Sequence, residues 1–184
     1  MGPGTYAKPN LSPDDKDLFL FENNTSTFLH ASNTGSGWSA VTAVTELNSH
    51  YPGTPAMVGG QLEMVLEDYV SNEFDEYRYS GSRWDLIRTY DSRVLAEAVG
   101  GTIAYPSLSA DGQLLVFQLT NAGNLNGVRY IRRPDATMTF NADIQHNGML
   151  VPGTTIRSAY LTSDCNHLYA IDGSATLPAL LRFD

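Results

Sequence analysis

One phrase recurs along this chain, and it constrains the fold more than any other feature. Between Pro106 and Phe117 the sequence reads Pro-Ser-Leu-Ser-Ala-Asp-Gly-Gln-Leu-Leu-Val-Phe. That is a short strand, a tight turn and an apolar strand of the kind that fills a sheet core. Asp111-Gly112 is expected to supply the positive φ angles of a two-residue hairpin turn. The phrase appears again from Pro9 to Phe21 and from Ala159 to Ile171, and in degraded form from Pro55 to Leu66. Pro9 to Pro55 is 46 residues, Pro55 to Pro106 is 51, and the next equivalent position falls near Arg157. A period of 45–50 residues made of short strands is the signature of propeller blades.

Four such units account for the 184 residues. The chain is therefore expected to be all-β, a β-propeller of about four blades of four-stranded antiparallel sheets with the last blade incomplete. The blades are read at about 6–51, 52–101, 102–153 and 154–184. Trp38, Trp84 and Phe140 occupy one corresponding place per blade, each opening or preceding a fourth strand. Gly59-Gly60 replaces the Asp-Gly turn in the second unit. Asp91 to Ala98 is a connection that could hold a single helical turn. The fourth unit has three strands, and Met1 to Thr5, with Gly2, Pro3 and Gly4, makes a poor completing strand. Its open sheet edge leads to an expectation of self-association, with two copies closing one larger ring.

Composition narrows the partners. There are 11 basic and 20 acidic residues, a net charge of −9. Such a surface repels phosphate backbones, so nucleic acid is excluded as an expected partner. No apolar run approaches the ~18 residues of a membrane span. The first residues lack the charged and apolar regions of a signal peptide. Cys165 is the single cysteine, so no intrachain disulfide can form, and its place in the repeat is a turn.

The segments Leu108–Phe117 and Leu11–Phe21 resemble the WD40-like repeat called PD40, found in TolB-type propellers. The resemblance covers the first and third units well, the fourth partly and the second poorly. It implies protein or ligand binding on a face of the ring and a periplasmic or secreted location. It carries no catalytic residue onto this chain.

Read for chemistry, the residues offer little. No Gly-x-Ser-x-Gly, Walker or Rossmann pattern is present. His30, His50, His146 and His167 form no local metal box, although His50 and His146 fall at corresponding blade ends. They are expected to be loop histidines in solvent. Asp14, Asp15 and Asp17 read as turn-forming acids rather than a calcium loop. Asp68, Glu73, Asp75 and Glu76 read as a solvated acidic patch on an exposed loop. Trp38, Trp84 and Phe140 either pack between blades or point outward to stack on sugar rings, with Tyr51, Tyr77 and Tyr105 adding polar-tipped contacts. Arg132-Arg133, beside Asp135, is a candidate anion or partner contact or else a strand-end salt bridge. No cofactor and no metal are expected. The function expected is a non-catalytic binding module for a protein partner. The alternative is a lectin-like propeller that binds glycans, and a hydrolase stands behind both.

Overall fold

The structure, a computed structural model, describes residues 6–142, 145–152, 156–162, 166–172 and 179–183. Its strands form four antiparallel sheets, each an up-and-down meander in chain order. The first holds β1 (Tyr6–Leu11), β2 (Asp17–Glu22), β3 (Thr27–Ser32) and β4 (Thr42–Ala43). The second holds β5 (His50–Tyr51), β6 (Pro55–Val58), β7 (Gln61–Asp68), β8 (Glu73–Tyr79) and β9 (Trp84–Tyr90). The third holds β10 (Thr102–Leu108), β11 (Leu114–Thr120), β12 (Gly127–Arg132) and β13 (His146–Pro152). The fourth has β14 (Ile156–Leu161), β15 (Leu168–Asp172) and β16 (Ala179–Phe183). The short helix α1 (Ser92–Ala96) follows the second sheet, and the Asp91 carboxylate caps it by accepting from the Val94 amide at 2.8 Å.

The sheets stack like blades. Phe19 and Phe28 of the first pack on Leu62, Met64 and Leu66 of the second. Val65, Phe74 and Tyr90 of the second meet Leu115, Phe117 and Leu119 of the third. Val116 and Val128 of the third meet Ala159, Leu161, Leu168 and Ala170 of the fourth. A sheet covered on both faces needs near-continuous apolar runs, which is why β7 and β11 are buried through their middles. In β2, by contrast, buried and half-buried residues alternate.

The recurring turn differs from the two-residue hairpin expected. Gly112 has φ +71°, whereas Asp111 keeps a negative φ, and the Gly112 amide donates to Ser109 O at 2.8 Å. The Ser109 amide in turn donates to Leu114 O, so the loop is longer and only its last turn residue is left-handed. A hydroxyl organises it: Ser109 Oγ accepts from the Leu114 amide at 2.8 Å and donates to Asp111 Oδ1 at 2.6 Å. Ser12 does the same with the Asp17 amide and Asp14, and there Asp15 takes the left-handed place at φ 58°. Thr162 Oγ1 accepts from the His167 amide in the fourth sheet. Two central residues of positive φ occur instead at Gly59-Gly60, where β6 turns directly into β7. Ser109→Ala is expected to destabilise by about 1–2 kcal/mol, because the part-buried Leu114 amide loses a partner. An unchanged urea midpoint would contradict this role.

Two other expectations change. The fourth strand expected from Trp38 onward in the first blade pairs only over Thr42–Ala43. Thr45–Leu47 folds into a 3-10 turn that buries Leu47 instead. His50–Tyr51 belongs to the second sheet through its pairing with Glu67 and Asp68. The readings that fall on Met1–Thr5 and Cys165 lie outside the described residues.

Candidate functional site

The innermost strand of every sheet carries one extra residue at the same level. The pairing of β1 with β2 skips between Ala7 and Asn10, that of β10 with β11 between Ala104 and Ser107, and that of β14 with β15 between Arg157 and Tyr160. In the second sheet Pro52, Gly53 and Thr54 separate β5 from β6 opposite Val65 and Leu66. A bulge bends a strand and re-aims its residues. Proline, which cannot donate to the ladder, is tolerated there, and this explains Pro9 and Pro106. The position equivalent to Pro106 is Gly53 in the second blade, not Pro55, and Ala159 in the fourth, not Arg157.

These bulges converge. Pro9, Asn10, Gly53, Thr54, Pro106, Ala159 and Tyr160, with Tyr105, line an axial cavity of about 170 Å³. Ser107 ties the inner strands together: its Oγ lies 3.0 Å from Thr54 Oγ1 and accepts from the Leu161 amide at 2.9 Å. A second cavity of about 140 Å³ shares Thr54 and Tyr160 and opens among the turns at Ser12, Pro13, Asp15 and Ala110. On the same hairpin side lies a groove of about 370 Å³ between Gly59, Gln61 and Arg78 of the second blade and Gln113, Asp135 and Thr137 after the third turn and strand. Leu11 and Tyr160, each 44% exposed, flank the axial opening.

An ionic network underlies the groove. Arg133 is fully buried, with Nε donating to Gly112 O at 2.7 Å, Nη1 to Met138 O at 2.8 Å and Nη2 to Glu76 Oε1 at 2.9 Å. Its guanidinium lies 4.3 Å from the centre of the Phe140 ring. Glu76 also accepts from Arg88 and from the Tyr90 hydroxyl. Burial alone would raise the Glu76 carboxyl, but Arg133 and its other donors hold it below the ordinary value. Glu63 goes the other way: burial raises it although Arg78 donates to its Oε1 at 2.6 Å, and its Oε2 has no hydrogen-bond partner among the described residues.

The acids read from the sequence as one solvated patch are split by strand alternation. On β8, Glu76 faces the third blade within this network and Asp75 faces the first, and both are buried. His50 is buried too, rather than in solvent. Its Nε2 lies 3.0 Å from Asp75 Oδ2 and its Nδ1 lies 3.1 Å from Asn48 O. Burial opposes its charge, yet the Asp75 hydrogen bond, with help from Asn48, raises the imidazole above its ordinary value. Tyr77, edge-on to His50, is pushed up to about 12 by burial and by Asp75 and Asp68. His30 is half-buried, stacked on Phe19 with Nε2 2.7 Å from Asp17. The His146 side chain lies outside the described residues, so its approach to His50 is not described.

The candidate ligand residues are dispersed. Trp38 is 46% exposed beside its bridge to Asn33, whereas Trp84 is 7% exposed, packed on Phe19 and Tyr79. Phe140 is buried beneath Arg133 and against Tyr90. Tyr51 meets Phe21 edge-on and Tyr69 at a tilt. Tyr105 sits at the bulge with φ 55° and lines the axial cavity. Arg132 is exposed on β12, next to a sealed Arg133. Thus Arg133 and Phe140 meet each other in the core, and of the seven only Tyr105 lines an axial cavity. Ser107, Thr54 and Gly53 were not singled out in the sequence. The Pro9 and Pro106 period was the available signal for the level they occupy.

These meanders around one axis define a β-propeller. Solved structures agree with that fold. A candidate 6-phosphogluconolactonase from Bacteroides uniformis superposes with a TM-score of 0.58 at 16% identity, over 98% of this chain and 51% of that one. TolB from Acinetobacter baumannii gives 0.57 at 14% identity, over 99% of this chain and 40% of that one. A protein from Lactobacillus plantarum gives 0.51 at 14% identity, over 98% and 52%. The chain thus spans about half or less of the length of each. No family model matches the sequence. No curated protein matches it either. No helix among the described residues is long and apolar enough to cross a membrane.

Proposed function

We propose that this chain is a non-catalytic binding module, built of TolB-type repeats, that docks a protein partner on its hairpin face. The observation that carries this reading is the pair of hollows on that face. A small-molecule pocket usually encloses ~300–1,000 Å³. The second cavity, at about 140 Å³, suits one inserted side chain rather than a whole ligand. The neighbouring groove of about 370 Å³ reaches the low end of that range, but it lies open between two blades and is edged by Arg78 and Asp135. Separate anchor pockets with polar rims are the anatomy of protein interfaces. The glycan reading loses two of its stacking rings, since Trp84 and Phe140 are buried.

Leu11→Asp and Tyr160→Asp are expected to weaken a captured protein partner at least tenfold while circular dichroism stays unchanged. A glycan-array signal that disappears in Trp38→Ala, with partner capture indifferent to Leu11→Asp, would overturn the proposal.

The same reading includes self-association. Tyr160, Ile171 and Leu180 are exposed on the face of the fourth sheet turned away from the third. Two copies would supply the length of one of the larger propellers. Light scattering is expected to give a multiple of 20.1 kDa. Ile171→Asp with Leu180→Asp is expected to return the monomer, and a wild-type monomer at every concentration would refute the assembly.

A further inference from the structure

Between the first and second blades, three side chains from three strands of the second sheet point at one spot. His50 opens β5, Asp68 ends β7 directly opposite it, and Asp75 stands on β8. One ligand atom from each lies within 4.8 Å of the other two. His50 and Asp75 are only 6% and 9% exposed, while half-buried Asp68 leaves a way in from solvent.

Each group is held by its other end. His50 Nδ1 faces Asn48 O at 3.1 Å, which makes Nδ1 the donor and turns Nε2 toward the carboxylates. Asp75 Oδ1 accepts the Thr89 hydroxyl at 2.6 Å, which leaves Oδ2 for His50. Asp68 Oδ1 accepts the Val70 amide at 2.8 Å and the Ser71 amide at 3.3 Å. Metal-binding histidines and carboxylates are oriented in this way by outer partners. The 3.0 Å between His50 Nε2 and Asp75 Oδ2 is an ordinary hydrogen-bond length, and it also matches the spacing of two ligands on one ion. Metal bonds of about 2.1 Å put neighbouring ligands of one ion about 3.0–3.4 Å apart.

We propose that His50, Asp68 and Asp75 form a three-ligand site for a divalent cation of borderline character, such as Zn²⁺ or Co²⁺. Two carboxylates balance the ion's charge, and the imidazole favours these ions over Mg²⁺ and Ca²⁺, which prefer all-oxygen shells. The ion replaces the proton shared by Nε2 and Asp75, and water completes its shell on the Asp68 side. Bound there, it clamps the segment entering from the first blade onto β7 and β8. The sequence hides the site because its ligands are 18 and 7 residues apart and meet only through strand pairing.

The test is titration calorimetry of untagged, chelator-treated protein with ZnCl₂ and CoCl₂. One ion per chain is expected, without displacement by millimolar Mg²⁺. Asp68→Asn, at the half-buried ligand, is expected to weaken binding at least tenfold with the fold intact. Thr89→Val is expected to weaken it about tenfold through Asp75. Co²⁺ absorption bands that shift in His50→Gln would report the imidazole directly. Folded protein that binds no ion at millimolar concentration would overturn the proposal. So would saturable binding that survives both Asp68→Asn and His50→Gln.

Discussion

Arg133→Ala is expected to cost about 3–5 kcal/mol of folding stability, the penalty for breaking a buried ion pair from one side. Domains of this kind are stable by roughly 5–15 kcal/mol, so much of the margin would go. The guanidinium is sealed from solvent, and it answers the carbonyls of Gly112 and Met138 as well as the Glu76 carboxylate. Its removal leaves the buried Gly112 carbonyl and the Met138 carbonyl without that donor and strips Glu76 of its principal countercharge. It also uncovers the Phe140 ring. The measurement is urea unfolding with the midpoint compared at constant m-value. Pairing Arg133→Met with Glu76→Gln is expected to recover part of the loss, since an uncharged pair needs no compensation. A single variant within about 1 kcal/mol of wild type would show that the network is not what joins the second and third blades.

Gly53→Ala is the second large effect, expected at about 3 kcal/mol or more, through overpacking against backbone. A Cβ placed on Gly53 would lie 1.8 Å from Val65 O and 3.3 Å from Pro106 O. Neither atom belongs to a side chain that can swing aside. The bulge would have to open, and the axial cavity it lines would change shape. The control is Gly59→Ala, which meets nothing within 4 Å and suffers only from φ +57°. That should cost about 1 kcal/mol. Equal melting temperatures for the two variants would mean that the second inner strand is not pressed against β7.

The difference between these two glycines is one that the sequence could not make. Both stand beside proline or glycine in a turn-like context, and the clash at Gly53 depends on a strand that follows it by a dozen residues. Local information was enough for the positions of the turns, though not for the type of the recurring one, and for most strands. Leu11, Leu108 and Leu161 each precede a hydroxyl residue and pair with Leu18, Leu115 and Leu168, so the repeat is written in short-range chemistry. Short strands at a regular period leave few architectures, and four stacked meanders were legible for that reason.

Burial of the charged residues was not legible, because it depends on which faces of a sheet are covered. Asp75 and Glu76 are neighbours that look like a solvated pair on paper. Pleating sends them to opposite faces, and a blade stands on each side. Arg133 is adjacent to exposed Arg132 in sequence yet sealed against Glu76, which lies 57 positions away. The axial cavity likewise needed four distant bulges to arrive at one level. Sequence alone determined the repeat, the places of its turns and the apolar faces, since those follow from neighbours a few residues apart. Which polar groups are enclosed, and what they enclose together, was decided only when the blades packed, because desolvation is a property of the assembled interface.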